Sequence, residues 1–391
     1  MAPTDLPTEA PPADATPGAT ACDFAIVGAG IAGISLAARL AAHGQVVLLE
    51  RESQPATHAT GRSAAMFMES YGSPQGRALT RASRALYQVP ALVPILSPRG
   101  ALYVAWTGQR ALLDQLAGPG LQPLDAEATL QRVPVLRREG LLGALLEPEA
   151  MDIDVHALLQ GELARARAQG AALWLNAGLV AGERVAANGH GPAGWRLQLA
   201  DGRTLHARVL VNAAGAWADS VALACGLPTL GLVPMRRSAF SFAAPTGHDT
   251  RRWPAVCGVG GSWYFRPDAG QMLGSPGNAD ATSPHDVLPE ALDIAQGIAD
   301  IEQHTELHIR RPHRTWAGLR TFAPDGELVV GFDTAAEGFF WLAGQGGWGL
   351  QSAGASAMLA EALVTGSALP EALLREGVDV AAVSPQRLRG A

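Results

Sequence analysis

The stretch DFAIVGAGIAGISLAARLAAHGQVVLLE, Asp23 to Glu50, decides the fold. Asp23 to Val27 reads as a short apolar strand that runs straight into a glycine turn. Ile31 to His43 has helical character and Gly44 stops it, after which Gln45 to Glu50 is a second apolar strand. A strand, a turn, a helix and a strand in this order open a parallel, doubly wound sheet. Gly28-Ala29-Gly30-Ile31-Ala32-Gly33 matches GxGxxG at the strand-to-helix junction. Gly28 permits the tight turn, Gly30 lets the backbone approach a pyrophosphate, and Gly33 allows helix and strand to pack closely. The helix N-terminus then offers free N–H groups and partial positive charge to phosphates. Glu50 closes the second strand 22 residues after Gly28. A carboxylate there accepts hydrogen bonds from ribose hydroxyls and repels a 2′-phosphate. Glu50 and Arg51 also read as a plain solvated strand end, but with all four features in register the dinucleotide reading is preferred.

Outward from this unit, helical periodicity returns at Val155 to Gln169, followed by a strand at Ala172 to Asn176. Trp195 to Ala200 and Thr204 to Val211, joined by Asp201-Gly202, read as a β-hairpin. Met235 to Phe242 and Ser262 to Arg266 are strand-like, and Val89 to Leu146 is rich in Pro and Leu with weak patterning. Glu327 to Val330, Phe339 to Ala343 and a helix from Leu350 to Thr365 close the chain. The expected fold class is therefore α/β: a discontinuous Rossmann-type domain (22–90, 147–228 and 322–391) with an inserted α+β domain (91–146 and 229–321) on a mostly antiparallel sheet. Residues 1–21, rich in Pro, Ala and Thr, read as a disordered tail with neither the basic start nor the apolar stretch of a secretory signal.

Composition removes several classes. The 391 residues are 48 % apolar, enough for two packed domains. A net charge of -7 without any basic run argues against nucleic-acid binding. There is no lysine in the chain, which excludes a Schiff-base enzyme and a P-loop. Cys22, Cys225 and Cys257 have no metal-site or disulfide spacing, so no metal is expected and a cytoplasmic location is the default. Phe339 to Ala360 is uncharged and long enough to span a bilayer, but its glycines and glutamines favour a strand, a turn and a helix over an integral membrane segment. Two further stretches, Gly61-Arg62-Ser63-Ala64-Ala65 and Gly344 to Gly349, look like close backbone approaches to a planar group. The second also reads as an ordinary strand–helix turn.

Together with the fingerprint, THATGRSAAMFMESYG (Thr57 to Gly72), PVLRR (Pro134 to Arg138), VLVNAAGAWAD (Val209 to Asp219), RRSAF (Arg236 to Phe240), TWAGLRTF (Thr315 to Phe322) and EGFFWLAGQGGWGLQ (Glu337 to Gln351) resemble the glycine oxidase and D-amino acid oxidase superfamily of flavoproteins, and most of all its D-arginine dehydrogenase branch. The resemblance runs from about Cys22 to Leu388. It implies FAD lying along Ala32 and the Gly28 loop, with its ribose on Glu50 and Arg51 and its adenine near Leu179. The Ala59 to Ala65 segment, with Gly61, Arg62, Ser63, Ala64 and Ala65, would wrap the pyrophosphate and ring system, and Gly346, Gly347, Trp348, Gly349, Leu350 and Gln351 would line the pyrimidine end. No cysteine lies near Gly318 to Phe322, so the flavin is expected to be non-covalent.

For the substrate, the resemblance implies a carboxylate held by Arg237, Arg320, Tyr71 and Tyr264. Guanidinium suits that task, being a planar fork that keeps its proton. Structural ion pairs for the arginines and core packing for the tyrosines are the plainer alternatives. Arg236 is adjacent to Arg237, but strand alternation sends the two to opposite faces. The expected reaction is oxidation of a small amine, a D-amino acid foremost, by hydride transfer from Cα to flavin N5. The imine then hydrolyses to a 2-oxo acid and ammonia. No general base is evident, and His58 reads as an incidental surface residue. Met66 and Ala101 stand where that branch has a histidine and a glutamate. Without the acid a buried cationic side chain would be unpaired, so an apolar side chain is expected over D-arginine, with Met66, Ala101 and Trp348 as pocket residues. The methionines read equally as core filler. Other small carboxylates (N-methyl, imino or 2-hydroxy acids) and a non-catalytic flavin protein remain as alternatives. Relatives of the sarcosine oxidase type use a lysine to assist oxygen, and its absence favours a quinone or carrier as electron acceptor.

Overall fold

The computed structural model describes residues 20–89, 94–187 and 193–389. The expected tail falls outside these as far as residue 19, whereas Thr20 and Ala21 already belong to the first strand and pair with Leu205 and His206. The expected boundary at 90/91 also lies outside the described residues.

The opening unit forms as read. Thr20–Val27 is flanked in parallel by Val46–Leu49 and Thr204–Asn212, and Ala172–Trp174 extends the parallel run. Thr204–Asn212 is long enough to take two partners on its far edge. Its first half pairs antiparallel with Gly194–Leu199 as the expected hairpin, and its last three residues pair in parallel with Phe339–Ala343. Phe24 and Ile26 pack into one core with Ile34, Leu36 and Leu359, while Ala25 and Val27 pack into another with Trp195 and Trp341. Both faces of the sheet are covered, which is why these strands read as unbroken apolar runs.

A second sheet of nine strands draws on two separated segments. Ala101–Trp106, Gln122–Leu124 and Leu141–Glu147 come from the first, and strands from Val233–Phe242 to Arg314–Phe322 come from the second. Every pairing in it is antiparallel except that of Ala101–Trp106 with Ala255–Gly258. Of the three strands of this sheet hidden in the weakly patterned middle of the chain, Ala101–Trp106 and Leu141–Glu147 are thus interior and Gln122–Leu124 is its edge. Leu102 and Val104 face one core and Ala101, Tyr103 and Ala105 another, so no alternation marks the strand. The strands expected at Ser262 and Glu327 begin two residues later, as Tyr264–Asp268 and Val329–Phe332. Phe339 to Ala360 divides into the strand Phe339–Ala343 and the helix Gly349–Thr365. Among the described residues no helix is long and apolar enough to cross a membrane.

The glycine turn is tight because three stretches of backbone meet there. A Cβ on Gly33 would lie 2.0 Å from the carbonyl oxygen of Gly28, and one on Gly28, whose φ is +106°, would lie 2.5 Å from that of Ala213. Backbone cannot yield as a flexible side chain can. Gly33→Ala is therefore expected to cost about 2 kcal/mol or more and to yield protein without bound flavin, read from the melting temperature and the visible spectrum. An unchanged melt with full yellow colour would show that the approach has slack.

Candidate active site

A cavity of about 610 Å³ runs between the carboxyl ends of the parallel strands and the second sheet, where ligands bind in doubly wound folds. Gly28, Gly30, Ala32, Glu50, Arg51 and Leu179 line one part of it. The Glu50 carboxylate is buried and accepts from the amides of Ala29 and Glu52, both at 3.0 Å. Arg62, Ser63 and Ala64 line the middle. The Arg62 guanidinium donates to the carbonyls of Val287 (3.0 Å) and Ala317 (3.3 Å) and pairs with Asp286, tying this loop to the second sheet's segment. Gly346, Gly347, Gly349 and Leu350 line the far end, at the N-terminus of the helix Gly349–Thr365.

The structure also adds residues that the sequence reading left out of the site. The turn Ala213 to Trp217 follows the long strand Thr204–Asn212 and lines the cavity. The Trp217 ring stands 4.6 Å from that of His58 and carries Arg51 over its face at 4.9 Å. His58, read as incidental, therefore belongs to the wall and pairs with Glu52 at 2.9 Å. Thr60 accepts from the amide of Ile31 at 3.1 Å, capping the first helix from a distant loop. A strand end at the carboxyl edge of a parallel sheet was the available signal for Ala213 to Trp217; Thr60 lies within the stretch expected at the cofactor, but nothing local marked it as a helix cap.

Other expected residues do not reach the wall. Gly33 and Gly61 serve backbone packing, against the carbonyls of Gly28 and Ala56, and Ala65 is buried behind the loop. The Gln351 side chain is turned away, bonded to Met68, Tyr71 and Thr80. Trp348 is buried on Gly72 and Gly76, behind Tyr71 and Phe322. Met66 and Ala101 are likewise outside the cavity wall. They pack in an apolar cluster with Met68, Tyr103 and Tyr71, because the strand Ala101–Trp106 turns Ala101 into that core with no exposed surface.

Arg237, Arg320 and Tyr264 line the cavity together. Arg237 pairs with Gly318 and Arg320 with Met235 across adjacent antiparallel strands, so both side chains leave the same face as diagonal neighbours. Tyr71 stands just behind, its hydroxyl 3.4 Å from Arg320 Nη1. The hydrogen-bond partners of both arginines are neutral: Arg237 Nε donates to the carbonyl of Asn278, and among the described residues neither forms an ion pair. Arg236 points the other way, into Asp280, Glu290 and Asp293. Burial, and then the charge of Arg320, pull the Arg237 guanidinium down to about 10. It stays cationic at neutral pH, so the direction of the shift marks a buried charge short of an anion.

The wall suits a flavin dinucleotide. The first helix offers its N-terminus with no acidic residue in its first turn, glycines leave room for close approach, and Gln345 Nε2 and Ser356 Oγ are buried in the wall without partners among the described residues. The family model described as FAD dependent oxidoreductase (DAO) matches residues 23–363. The chain belongs to this family, and FAD is its cofactor. Among curated proteins it is 29 % identical over 263 residues to glycerol-3-phosphate dehydrogenase 1 of Mycobacterium tuberculosis, covering 58 % of this chain and 48 % of that protein. The chain thus spans about half the length of the curated relatives it matches first. It also shares 27 % identity over 172 residues with a hydrogen cyanide synthase subunit of Pseudomonas aeruginosa, covering 42 % of this chain and 39 % of that one. In fold it is similar to glycine oxidase from Geobacillus kaustophilus (TM-score 0.77, 23 % identity, 94 % of this chain and 99 % of that one). It is also similar to FAD-bound L-alpha-glycerophosphate oxidase from Mycoplasma pneumoniae (TM-score 0.79, 17 % identity, 88 % and 95 %).

Replacing Arg237 by Met keeps the volume and removes the uncompensated charge. The ligand-free variant is expected to melt within about 1 kcal/mol of the parent or above it, while small carboxylates no longer raise its melting temperature as they raise the parent's. A large loss of stability without ligand would instead give the guanidinium a structural role through Asn278.

Proposed function

We propose that the chain catalyses oxidative deamination of a D-amino acid, with an apolar side chain favoured over D-arginine, to the imino acid and thence the 2-oxo acid. The observation that carries this reading is the pair Arg237 and Arg320, two cations without carboxylate partners among the described residues, on one wall of the cavity with Tyr264 beside them. Two guanidiniums and a phenol can take up both oxygens of a carboxylate, and removing either arginine should cost roughly 2–5 kcal/mol of binding. The D configuration and the choice of an amine rest on the sequence resemblance.

The protein's own part is orientation. The clamp fixes the carboxylate, and the residues closing the cavity keep Cα at a reactive distance while the amine sheds a proton to solvent. FAD, when bound, would supply the two-electron acceptor that this oxidation needs. Loss of hydride from Cα and a proton from nitrogen leaves C=N, to which water adds with release of ammonia. The preference for an apolar side chain rests on the sequence resemblance at Met66 and Ala101, both of which pack behind Tyr71 and outside the cavity wall. The chain has no lysine to place beside the flavin, which supports a quinone or carrier as acceptor.

The test is anaerobic mixing of the yellow protein with D- and L-amino acids, N-methyl amino acids, cyclic imino acids and 2-hydroxy acids, following the flavin band near about 450 nm. Apolar D-amino acids are expected to bleach it and D-arginine to do so far more weakly. Bleaching only by an N-methyl, imino or 2-hydroxy acid would move the substrate class while keeping the clamp. Bleaching by none, with flavin retained, would sink the substrate assignment.

A further inference from the structure

The turn Met68 to Tyr71 is held from two sides. Gln351 in the helix Gly349–Thr365 accepts from the amide of Met68 at 3.1 Å, and its Nε2 donates to the carbonyls of Met68 and Tyr71, each at 3.0 Å. From the second sheet, Glu147 reaches the middle of the same turn. Its Oε1 accepts from the amides of Glu69 (2.6 Å) and Ser70 (3.2 Å), and its Oε2 accepts from the Ser70 hydroxyl. The Tyr103 hydroxyl lies 2.7 Å from Ser70 Oγ. A carboxylate can only accept, so the chain has one direction: Tyr103 donates to Ser70, and Ser70 donates to Glu147.

Glu147 is 3 % exposed and has no cationic partner among the described residues. Burial raises its carboxyl, and the bonds from Ser70 and the Glu69 amide oppose that rise. A buried acid with three donors and no cation, placed at the end of a strand whose neighbours are apolar, is an arrangement that packing alone does not require.

We propose that Glu147 is a positioning residue, fixing the turn that sets the Tyr71 hydroxyl beside Arg320 and so acting on the substrate carboxylate through Tyr71. This rests on the reading of Tyr71 as part of the clamp. Glu147 is also the cross-strand partner of Ala101, which raises the rival idea that it faces a cationic substrate side chain. Its oxygens argue against that, since both are engaged with the turn and neither belongs to the cavity wall.

The experiment compares Glu147→Gln, Tyr71→Phe and the double variant in the FAD-loaded full chain. Glu147→Gln keeps the volume and one acceptor oxygen and loses the other. It is expected to raise KM for D-leucine about tenfold with kcat little changed, and to add nothing in the Tyr71→Phe background. Additive effects would overturn the proposal. So would a loss confined to D-lysine with D-leucine untouched, because Glu147 would then be a substrate contact. Hydrogen exchange of the amides in residues 66–72 needs no substrate and separates this idea from the clamp. Faster exchange in Glu147→Gln, at unchanged flavin content, is expected. Unchanged exchange overturns the role of Glu147 even where the clamp stands, whereas faster exchange in a protein that no amino acid reduces sinks the clamp and leaves the hold on Tyr71 supported. Should Glu147→Gln fail to fold, Ser70→Ala, which removes only the hydroxyl link, is expected to show a rise of about threefold with the same non-additivity; additivity there overturns the proposal equally.

Discussion

The main chain of Gly28 lies between those of Gly33 and Ala213, closer than any side chain would permit. This constraint fixes more than a turn. It sets the first helix against its strand, brings the turn Ala213 to Trp217 to the carboxyl edge of the sheet, and leaves the helix N-terminus facing the cavity between them. Glycine at such positions loses more conformational freedom on folding than alanine, by roughly 0.5–1 kcal/mol each. The apolar cores on both faces of the sheet offset that loss. Glu50 then joins the second strand to the same turn through the Ala29 amide, so the pieces that meet the cofactor are braced by one another.

Charge is distributed with the same economy. Arg236 and Arg237 are consecutive, yet one is surrounded by Asp280, Glu290 and Asp293 and the other has only neutral partners. Strand alternation makes the difference. The first arginine holds the loop that carries Asn278 and Asp280 against the helix Ala291–His304; the second, held by that loop through Asn278, is left short of an anion. A folded chain that keeps an unneutralised cation in a desolvated wall gives up stability for binding.

The parallel unit was legible because its signals are local: a strand, three glycines, a helix and an acid in register. The opposite fates of Arg236 and Arg237 followed from period-two alternation. What stayed hidden was non-local. Ala101–Trp106 and Leu141–Glu147 are covered on both faces, so their apolar runs carry no period to read. Thr60 caps a helix 29 residues away, a contact no spacing rule proposes. Met66, Ala101 and Trp348 were expected in the pocket wall, because sequence comparison gives a position in the chain without giving its depth. The structure puts them behind Tyr71, and Gln351, expected at the flavin, holds that residue's turn instead.

Depth also bears on which side chains the site admits. Tyr71 separates the arginine wall from the apolar cluster of Met66, Met68, Ala101 and Tyr103. On the proposed reading, a substrate side chain larger than a methyl group must either remain in the cavity or displace part of that cluster. An apolar group entering there gains burial at about 25 cal/mol per Å². A guanidinium entering the same space would meet Glu147 only if the acid released Ser70 or the amides of Glu69 and Ser70, leaving buried donors unpaired at about 1–3 kcal/mol each. The acid on this face of the sheet therefore does not restore a site for a cationic side chain, because its hydrogen bonds already hold the turn that carries Tyr71.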